Sequence, residues 1–268
     1  MNWRGAGAGL GVLVLVLTGC GPEEESPEER AAGSLEKALT TLGGEPHRAD
    51  VEVDVYAING AIPGFKLTAR MRGTHRSMPG NPASDLDLSS VATELELRPG
   101  PTRNDSGAVR VITIGDRTYV RNTLQSGRWR TLPAGPRLTG KDGYDPASTA
   151  NMVDTTVITE MYRGQAGTPR PSPATEAGEE MSVFSLSCTV AQCLDDSPEA
   201  RKAALSVYPG DAIFNAKLWV DGRDRPRRLT MTSEFFVNAG MRSMDVKFKA
   251  TLTLHDLGRP QSITAPSG

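Results

Sequence analysis

The chain has few of the side chains that most often carry catalysis or bind metal ions. Of its 268 residues, three are histidine and three are cysteine. His47, His75 and His255 are far apart in the sequence, and no second cysteine pair accompanies Cys188 and Cys193. Because a structural zinc site takes about four such ligands at short spacings, the sequence predicts no metal centre.

Catalytic motifs are also lacking. The sequence has no Gly-x-Ser-x-Gly turn, no His-Glu-x-x-His motif, and no glycine-rich phosphate loop apart from the glycines of residues 5–11. Ser34-Leu-Glu-Lys37 has the Ser-x-x-Lys spacing of penicillin-recognising enzymes, but the partner motifs Ser-Asp-Asn and Lys-Thr-Gly are absent. We therefore predict that the protein is not an enzyme and needs no cofactor.

Neither positive nor negative charge predominates in the chain. The 30 basic and 32 acidic residues nearly cancel, which gives no reason to expect nucleic acid as a partner. Aromatic residues make up only 5% of the chain, whereas it has 28 glycines and 19 prolines. This composition favours many short elements joined by turns.

Only one stretch is strongly apolar, Leu10–Leu17, and Arg4 precedes it. It is too short to cross a bilayer, which needs about 20 residues, but it suits an export signal. Leu17-Thr18-Gly19-Cys20 follows at once and has the form of a bacterial lipobox. We predict that residues 1–19 are removed and that Cys20 carries a lipid, which anchors the protein to the extracytoplasmic face of the cell membrane. The alternatives are a signal peptide cut elsewhere and an uncleaved anchor.

Residues 20–33 are predicted to form a tether. Five glutamates and two prolines leave little apolar surface to bury in this segment. A solvated spacer explains this composition, and binding of cations or of a basic partner is the alternative. Residues 34–268 are predicted to form a single domain.

Export bears on the remaining cysteines, Cys188 and Cys193. An oxidising compartment favours a local disulfide between them, which would join the end of a predicted strand, Ser182–Val190, to the turn that follows. A metal-binding pair is the alternative.

Periodicity predicts three helices and a series of strands. The helices are 34–42, with Ser34 as N-cap, 146–162 and 197–205. The strands before residue 130 are expected from Ala49 onward and at 65–74, 91–97, 108–115 and 117–122, the last two forming a hairpin at Gly115-Asp116. Residues 164–178, with Pro169, Pro171 and Pro173, are predicted to be a surface loop.

The last third of the chain shows the clearest alternation of apolar and polar residues, which predicts an antiparallel meander with one apolar face. The candidate ligand-binding residues on that face are Phe214, Leu218, Val220, Met231, Phe235, Phe248 and Leu252. With the helices as cover, the expected fold is α+β: a single curved antiparallel sheet with a few helices on its concave face. Periodicity leaves open whether that side is a packed core or a partly open cavity.

The segment Asp221–Arg228 is the densest basic patch, with Arg223, Arg225, Arg227 and Arg228. Guanidinium groups suit phosphate or anionic headgroups. A solvated hairpin tip is the alternative.

Three passages together resemble a known group. They are Val111–Val120 followed by Gly127-Arg-Trp-Arg130, Ala216–Asp221 before Arg225-Pro226, and Leu254–Gly258 before Ile263–Pro266. These are similar to passages of actinobacterial LppX/LprG-type lipoproteins of the LolA-like half-barrel superfamily. The 164–178 insertion and the Cys188/Cys193 pair depart from that pattern.

The resemblance implies a half-barrel, in which the sheet wraps helices and holds acyl chains between them, with a lipid or lipoglycan as ligand. The expected function is therefore binding or carriage of a hydrophobic ligand by a membrane-anchored lipoprotein. The rival hypothesis is a closed-core lipoprotein that contacts an envelope protein partner.

Overall fold

In the computed structural model, residues 25–267 are described except for 60–63, 80–82, 97–99, 101, 125, 134–149, 151, 166–169, 197, 199–200, 202–207 and 240–241. The helices in the described part are α1 (Pro27–Gly44), α2 (Thr155–Arg163) and α3 (Val190–Cys193). The strands there are β1 (His47–Asn59), β2 (Phe65–Met78), β3 (Ala83–Glu96), β4 (Arg103–Ile114), β5 (Arg117–Asn122), β6 (Trp129–Pro133), β7 (Ser172–Glu176), β8 (Glu179–Thr189), β9 (Ile213–Asp221), β10 (Pro226–Ala239) and β11 (Arg242–His255).

All these strands belong to one antiparallel sheet in the order β6-β5-β4-β3-β2-β1-β11-β10-β9-β8-β7. Two meanders, β1–β6 and β7–β11, therefore lie side by side. They join where β1 pairs with β11, for example at Val53 and Ala250. The predicted α+β fold, a curved antiparallel sheet with a few helices, is confirmed.

The inner face of the sheet is set by alternation along each strand. In β1 the valines at 51 and 53 are 1% exposed while their neighbours point to solvent. Side chains of adjacent residues in a strand point to opposite faces, so the apolar set of every long strand lies on one side. The helices cover that concave side.

A bulge in β3 bends the sheet between its two neighbours. Arg72 pairs with Ser90 and Thr74 with Asp87, so β3 contains one residue more than β2 over this stretch. The same extra residue is seen against β4, between Leu88 and Val91. Bulges of this kind increase local twist and curvature.

Helix α1 begins earlier than predicted. Its N-cap is Ser26, whose side chain accepts from the Glu29 backbone N–H while the Glu29 side chain accepts from the Ser26 N–H. This capping box extends the helix through the second half of the predicted tether, residues 27–33. The assignment of Ser34 as N-cap was therefore wrong, because Ser34 lies inside the helix.

Other predicted boundaries also shift. The predicted loop 164–178 contains β7, an edge strand paired with β8, so a loop over that whole range was wrong. The predicted strand 91–97 begins at Ala83. The helix predicted at 146–162 is described as α2 from its N-cap Asp154 onward. Residues 146–149, 151 and most of 197–205 lie outside the described residues.

Candidate functional site

The seven candidate ligand-binding residues lie together on the inner face of β9, β10 and β11. They are Phe214, Leu218, Val220, Met231, Phe235, Phe248 and Leu252, and each is between 0% and 9% exposed. Cross-strand register explains the grouping. Leu218 pairs with Leu229, which in turn pairs with Leu252, and together they form a row of leucines across the three strands.

Helices α1 and α2 form the other side of this site. The buried residues of α1 are Leu35, Ala38, Leu39 and Leu42, and those of α2 include Val157, Ile158 and Met161. These residues and the strand residues belong to one continuous apolar cluster. The site is therefore an apolar layer between a sheet and two helices.

Tyr208 closes one part of this layer. Its ring makes edge-to-face contacts with Phe214, Phe235 and Phe248 at centroid distances of 5.9, 5.7 and 6.3 Å. Its hydroxyl donates to the Met152 carbonyl oxygen at 3.3 Å. Burial raises the pKa of Tyr208, so the hydroxyl stays neutral. Sequence reasoning missed this residue because no periodic pattern surrounds it.

Tyr162 connects α2 to the sheet. Its hydroxyl donates to the Phe184 carbonyl oxygen in β8 at 3.1 Å, and the residue is 3% exposed. Burial raises the pKa of Tyr162 as well. The hydrogen bond satisfies a polar atom that would otherwise be costly to bury among apolar groups.

The end of α2 rests on α3. A Cβ atom at Gly164 would lie 1.8 Å from the Cys193 carbonyl oxygen, so only glycine permits this approach. Cys193 is bonded to Cys188 by a disulfide with a Cα–Cα distance of 6.0 Å. The predicted disulfide is thus present in the structure, and it holds the turn of chain against which α2 ends.

A small polar cluster lies at the other end of α2. His47 is 0% and His75 is 2% exposed, and their ring centroids are 6.4 Å apart. His47 Nδ1 lies 3.0 Å from the Glu45 carbonyl oxygen, and His47 Nε2 lies 3.3 Å from Thr155 Oγ1. His75 Nδ1 is buried with no hydrogen-bond partner. Sequence reasoning treated these histidines only as scattered residues.

Both histidines are held neutral by their surroundings. Burial lowers the pKa of His47, against a hydrogen bond from the ring to the Glu45 carbonyl and the charge of Asp154, which raise it. Burial and the neighbouring His47 lower the pKa of His75 to about 3, against the charge of Asp85. Neutral rings are what an apolar layer can accommodate.

The arginine hairpin is largely neutralised by acidic neighbours. Asp221 accepts from Arg225 Nη2 at 2.8 Å and from the backbone N–H of Arg223 at 2.9 Å. Arg228 pairs with Glu176 and lies over the Trp219 ring. These contacts favour a structural role for the hairpin over phosphate binding.

Among the residues that the structure describes, an outer-face patch of three large apolar side chains is exposed. Ile58, Ile213 and Phe236 are 40%, 54% and 53% exposed. Ile58 and Phe236 both pair with Asp245, so they flank it on the outer face, and Ile213 lies on the neighbouring strand. Exposed apolar side chains that lie on neighbouring strands are more often contact sites than isolated ones.

The predicted lipidation site, Cys20, lies outside the described residues. Among the helices that the structure describes, none is long and apolar enough to span a bilayer. Within the same part of the chain, no group of three or more histidine, cysteine or acidic side chains is placed to hold a metal ion.

No family model matches the chain, and no curated protein matches it significantly. Among solved structures, LprF from Mycobacterium bovis is 16% identical, with a TM-score of 0.39, covering 91% of this chain and 100% of its own.

Two further structures are similar. The Mycobacterium tuberculosis lipoprotein LppX is 12% identical with a TM-score of 0.41, covering 88% of this chain and 98% of its own. A LolA superfamily protein from Nitrosomonas europaea is 15% identical with a TM-score of 0.28, covering 87% of this chain and 94% of its own.

Mycobacterial lipoproteins and a LolA superfamily protein are thus among the solved structures to which this chain is similar.

Proposed function

We propose that this protein is a lipoprotein, anchored through Cys20 on the extracytoplasmic face of the cell membrane, that binds a lipid or another hydrophobic ligand between its sheet and helices α1 and α2. It acts by binding and not by catalysis. A lipid or the acyl part of a lipoglycan is the ligand class that fits.

The observation that carries this proposal is the chemistry of the inner face of β9–β11. Its side chains are aliphatic, phenyl or thioether groups, interrupted by Ser233. Ser233 donates its hydroxyl to the Ile213 carbonyl oxygen at 3.0 Å, so this donor is satisfied without a hydrogen bond from a ligand. A face of this kind suits acyl chains, which offer no hydrogen bonds.

Burial supplies the binding free energy. Each CH₂ group that leaves water for this layer contributes about 0.8 kcal/mol. A ligand between the sheet and the helices replaces contacts that the protein makes with itself. The Tyr208 ring is the group that would move aside to make room for it. It is held by ring contacts and by the single hydroxyl bond to Met152.

The test is native mass spectrometry of the full chain, extracted from the membrane of an actinobacterial host, followed by lipid extraction. We expect a mature protein beginning at diacylated Cys20 and carrying one further lipid at near one-to-one ratio. Cys20→Ala is the control for the anchor: it loses the covalent lipid and keeps the bound one.

A second pair of variants tests where the lipid lies. Tyr208→Ala enlarges the space at the aromatic cluster and should change the amount of co-purified lipid at least about threefold. Tyr119→Ala, on β5 away from the proposed site, is the matched control and should leave it unchanged. A lipid-free protein whose mass does not shift when dipalmitoyl phosphatidylcholine is added would contradict ligand binding.

A protein partner is the second candidate function, and the patch of Ile58, Ile213 and Phe236 favours it. In that case the inner layer is a closed core. Chemical cross-linking in the host membrane would then capture one defined partner with the unaltered chain and lose it with Phe236→Asp, while Cys20→Ala would release the pair from the membrane.

A further inference from the structure

Helix α2 is attached to β1 through a histidine that can exist in only one neutral form. The Glu45 carbonyl oxygen can only accept, so His47 Nδ1 carries the proton, with the nitrogen 3.0 Å from that oxygen. The Nε2 atom then accepts from the Thr155 hydroxyl, 3.3 Å away. Thr155 is the first residue of α2, so this bond joins the start of the helix to the edge of the inner face.

His75 lies beside this connection on the neighbouring strand. His75 pairs with Ala49, two residues after His47, which puts the two rings edge to face at 6.4 Å. The Nδ1 atom of His75 has no hydrogen-bond partner. A proton added to this ring would therefore leave a buried charged N–H group without an acceptor.

Two carboxylates, Asp154 and Asp85, lie near the pair and raise the pKa values of the histidines, but less than burial lowers them. Asp154 caps α2 by accepting from the Thr156 N–H at 2.8 Å, and burial raises its pKa against those hydrogen bonds, which disfavours its charged form. Asp85 faces the other side of the sheet, where it accepts from Arg76 at 2.6 Å and from Arg110 at 2.7 Å.

Protonation of both rings would thus put two positive charges about 6 Å apart in a medium of low polarity. A charged His47 would also donate from Nε2, so the Thr155 hydroxyl would have to rotate to accept that bond, and its own hydrogen would lose Nε2 as acceptor. Separation of the first turn of α2 from the strand lets water reach both rings and removes these costs.

We propose that the His47–His75 pair makes the seating of α2 on the sheet sensitive to acid, so that the first turn of α2 leaves β1 when both rings take up protons. This rests on the proposed function in one respect only: α2 covers the layer in which the ligand would lie, so acid would open that layer.

The expected size follows from ordinary histidine chemistry. If opening exposes both rings and restores a pKa of about 6.5, each ring favours the open form about tenfold more at pH 5.5 than at pH 7.5, and the pair about 100-fold. The lower pH is therefore the one at which α2 opens.

Hydrogen exchange of the α2 amides measures this opening directly and needs no ligand. The full lipidated chain is placed in phosphatidylcholine nanodiscs, whose charge is the same at both pH values, and rates are corrected for intrinsic exchange. We expect about 100-fold more opening at pH 5.5 than at pH 7.5, and about tenfold in His47→Gln or His75→Gln. His255→Gln is the matched control, because His255 lies on the outer face beside Asp50, and it should behave as the unaltered chain.

Thr155→Val tests the connection without touching either histidine. It should raise α2 opening at pH 7.5 while the dependence on pH persists. Opening that changes less than threefold between the two pH values, or that keeps its full pH dependence in His47→Gln, would overturn the proposal. Lipid binding would be unaffected by that result, whereas an acid-opened α2 in a protein that binds no lipid would leave this inference standing and remove the proposed function.

Discussion

At Gly73 the backbone of β3 comes so close that an added Cβ atom would lie 1.9 Å from the Asp87 carbonyl oxygen. The cause is the extra residue of β3, which pushes its chain toward β2 opposite this position. A hydrogen atom is the only side chain that fits. The curvature of the sheet on this side therefore depends on one glycine that the periodic pattern did not single out.

We predict that Gly73→Ala lowers the free energy of unfolding by at least about 2 kcal/mol, because a backbone carbonyl cannot yield as a side chain can. Gly222→Ala is the matched control: no atom lies within 4 Å of its added Cβ, and the change should be under about 0.5 kcal/mol. Urea denaturation followed by circular dichroism measures both. Equal effects of the two substitutions would contradict the close approach of the Asp87 carbonyl oxygen to Gly73.

Single residues also mark the limit of sequence reasoning. The inward position of Phe214, Leu218 and Leu252 could be predicted, because alternation fixes which side of a strand is buried. The proximity of His47 to His75 could not, since it depends on the register between two strands. Tyr208 was out of reach for a similar reason: its three phenylalanine neighbours come from three different strands.

At the scale of elements, α1 and β7 are two cases in which amino-acid composition led to the wrong prediction of secondary structure. The glutamates before residue 30 indicated a solvated tether, yet Ser26-Pro27-Glu28-Glu29 also contains a helix start, with a cap, a proline in the first turn and an acid at the third position. The prolines of 164–178 indicated a loop, yet Pro173 is tolerated in β7 because that strand lies at the sheet edge.

The capping box of α1 can be tested by removing its hydroxyl. Ser26→Ala should destabilise the first turn of α1 by about 1 kcal/mol, which raises hydrogen exchange at Glu29 and Arg30 about fivefold. Ser34→Ala leaves the cap intact and should not change exchange at those two amides. If Ser34→Ala had the larger effect there, the helix would begin where the sequence first indicated.

At the scale of the whole molecule, the two buried histidines make stability depend on pH. Their pKa values in the folded protein lie below the ordinary value, so the unfolded chain binds more protons than the folded one. Their contribution to stability is complete above about pH 6.5 and is lost as the pH falls from there toward the pKa of about 3 of His75.

We predict that the free energy of unfolding falls between pH 6.5 and pH 4.5, with a slope of up to about 1.4 kcal/mol per pH unit for each histidine. Urea denaturation at half-unit pH steps measures the slope. His75→Leu should reduce it, and His255→Gln should not. A free energy of unfolding that stays level over this range would mean that both rings are accessible to water in the folded protein.

The joining of β1 to β11 has a consequence for how the protein is made. A chain that emerges from its amino end presents β1 long before β11 exists, and residues as distant as Val53 and Ala250 must meet to complete the sheet. Each meander can assemble from neighbours in sequence, but the seam between them closes only after the final strand has arrived. Until then β1 is a long, unpaired edge whose backbone groups can bond to another chain. During synthesis, the protein is therefore most exposed to aggregation while the free edge of β1 is unpaired, and this interval ends when β11 pairs with it.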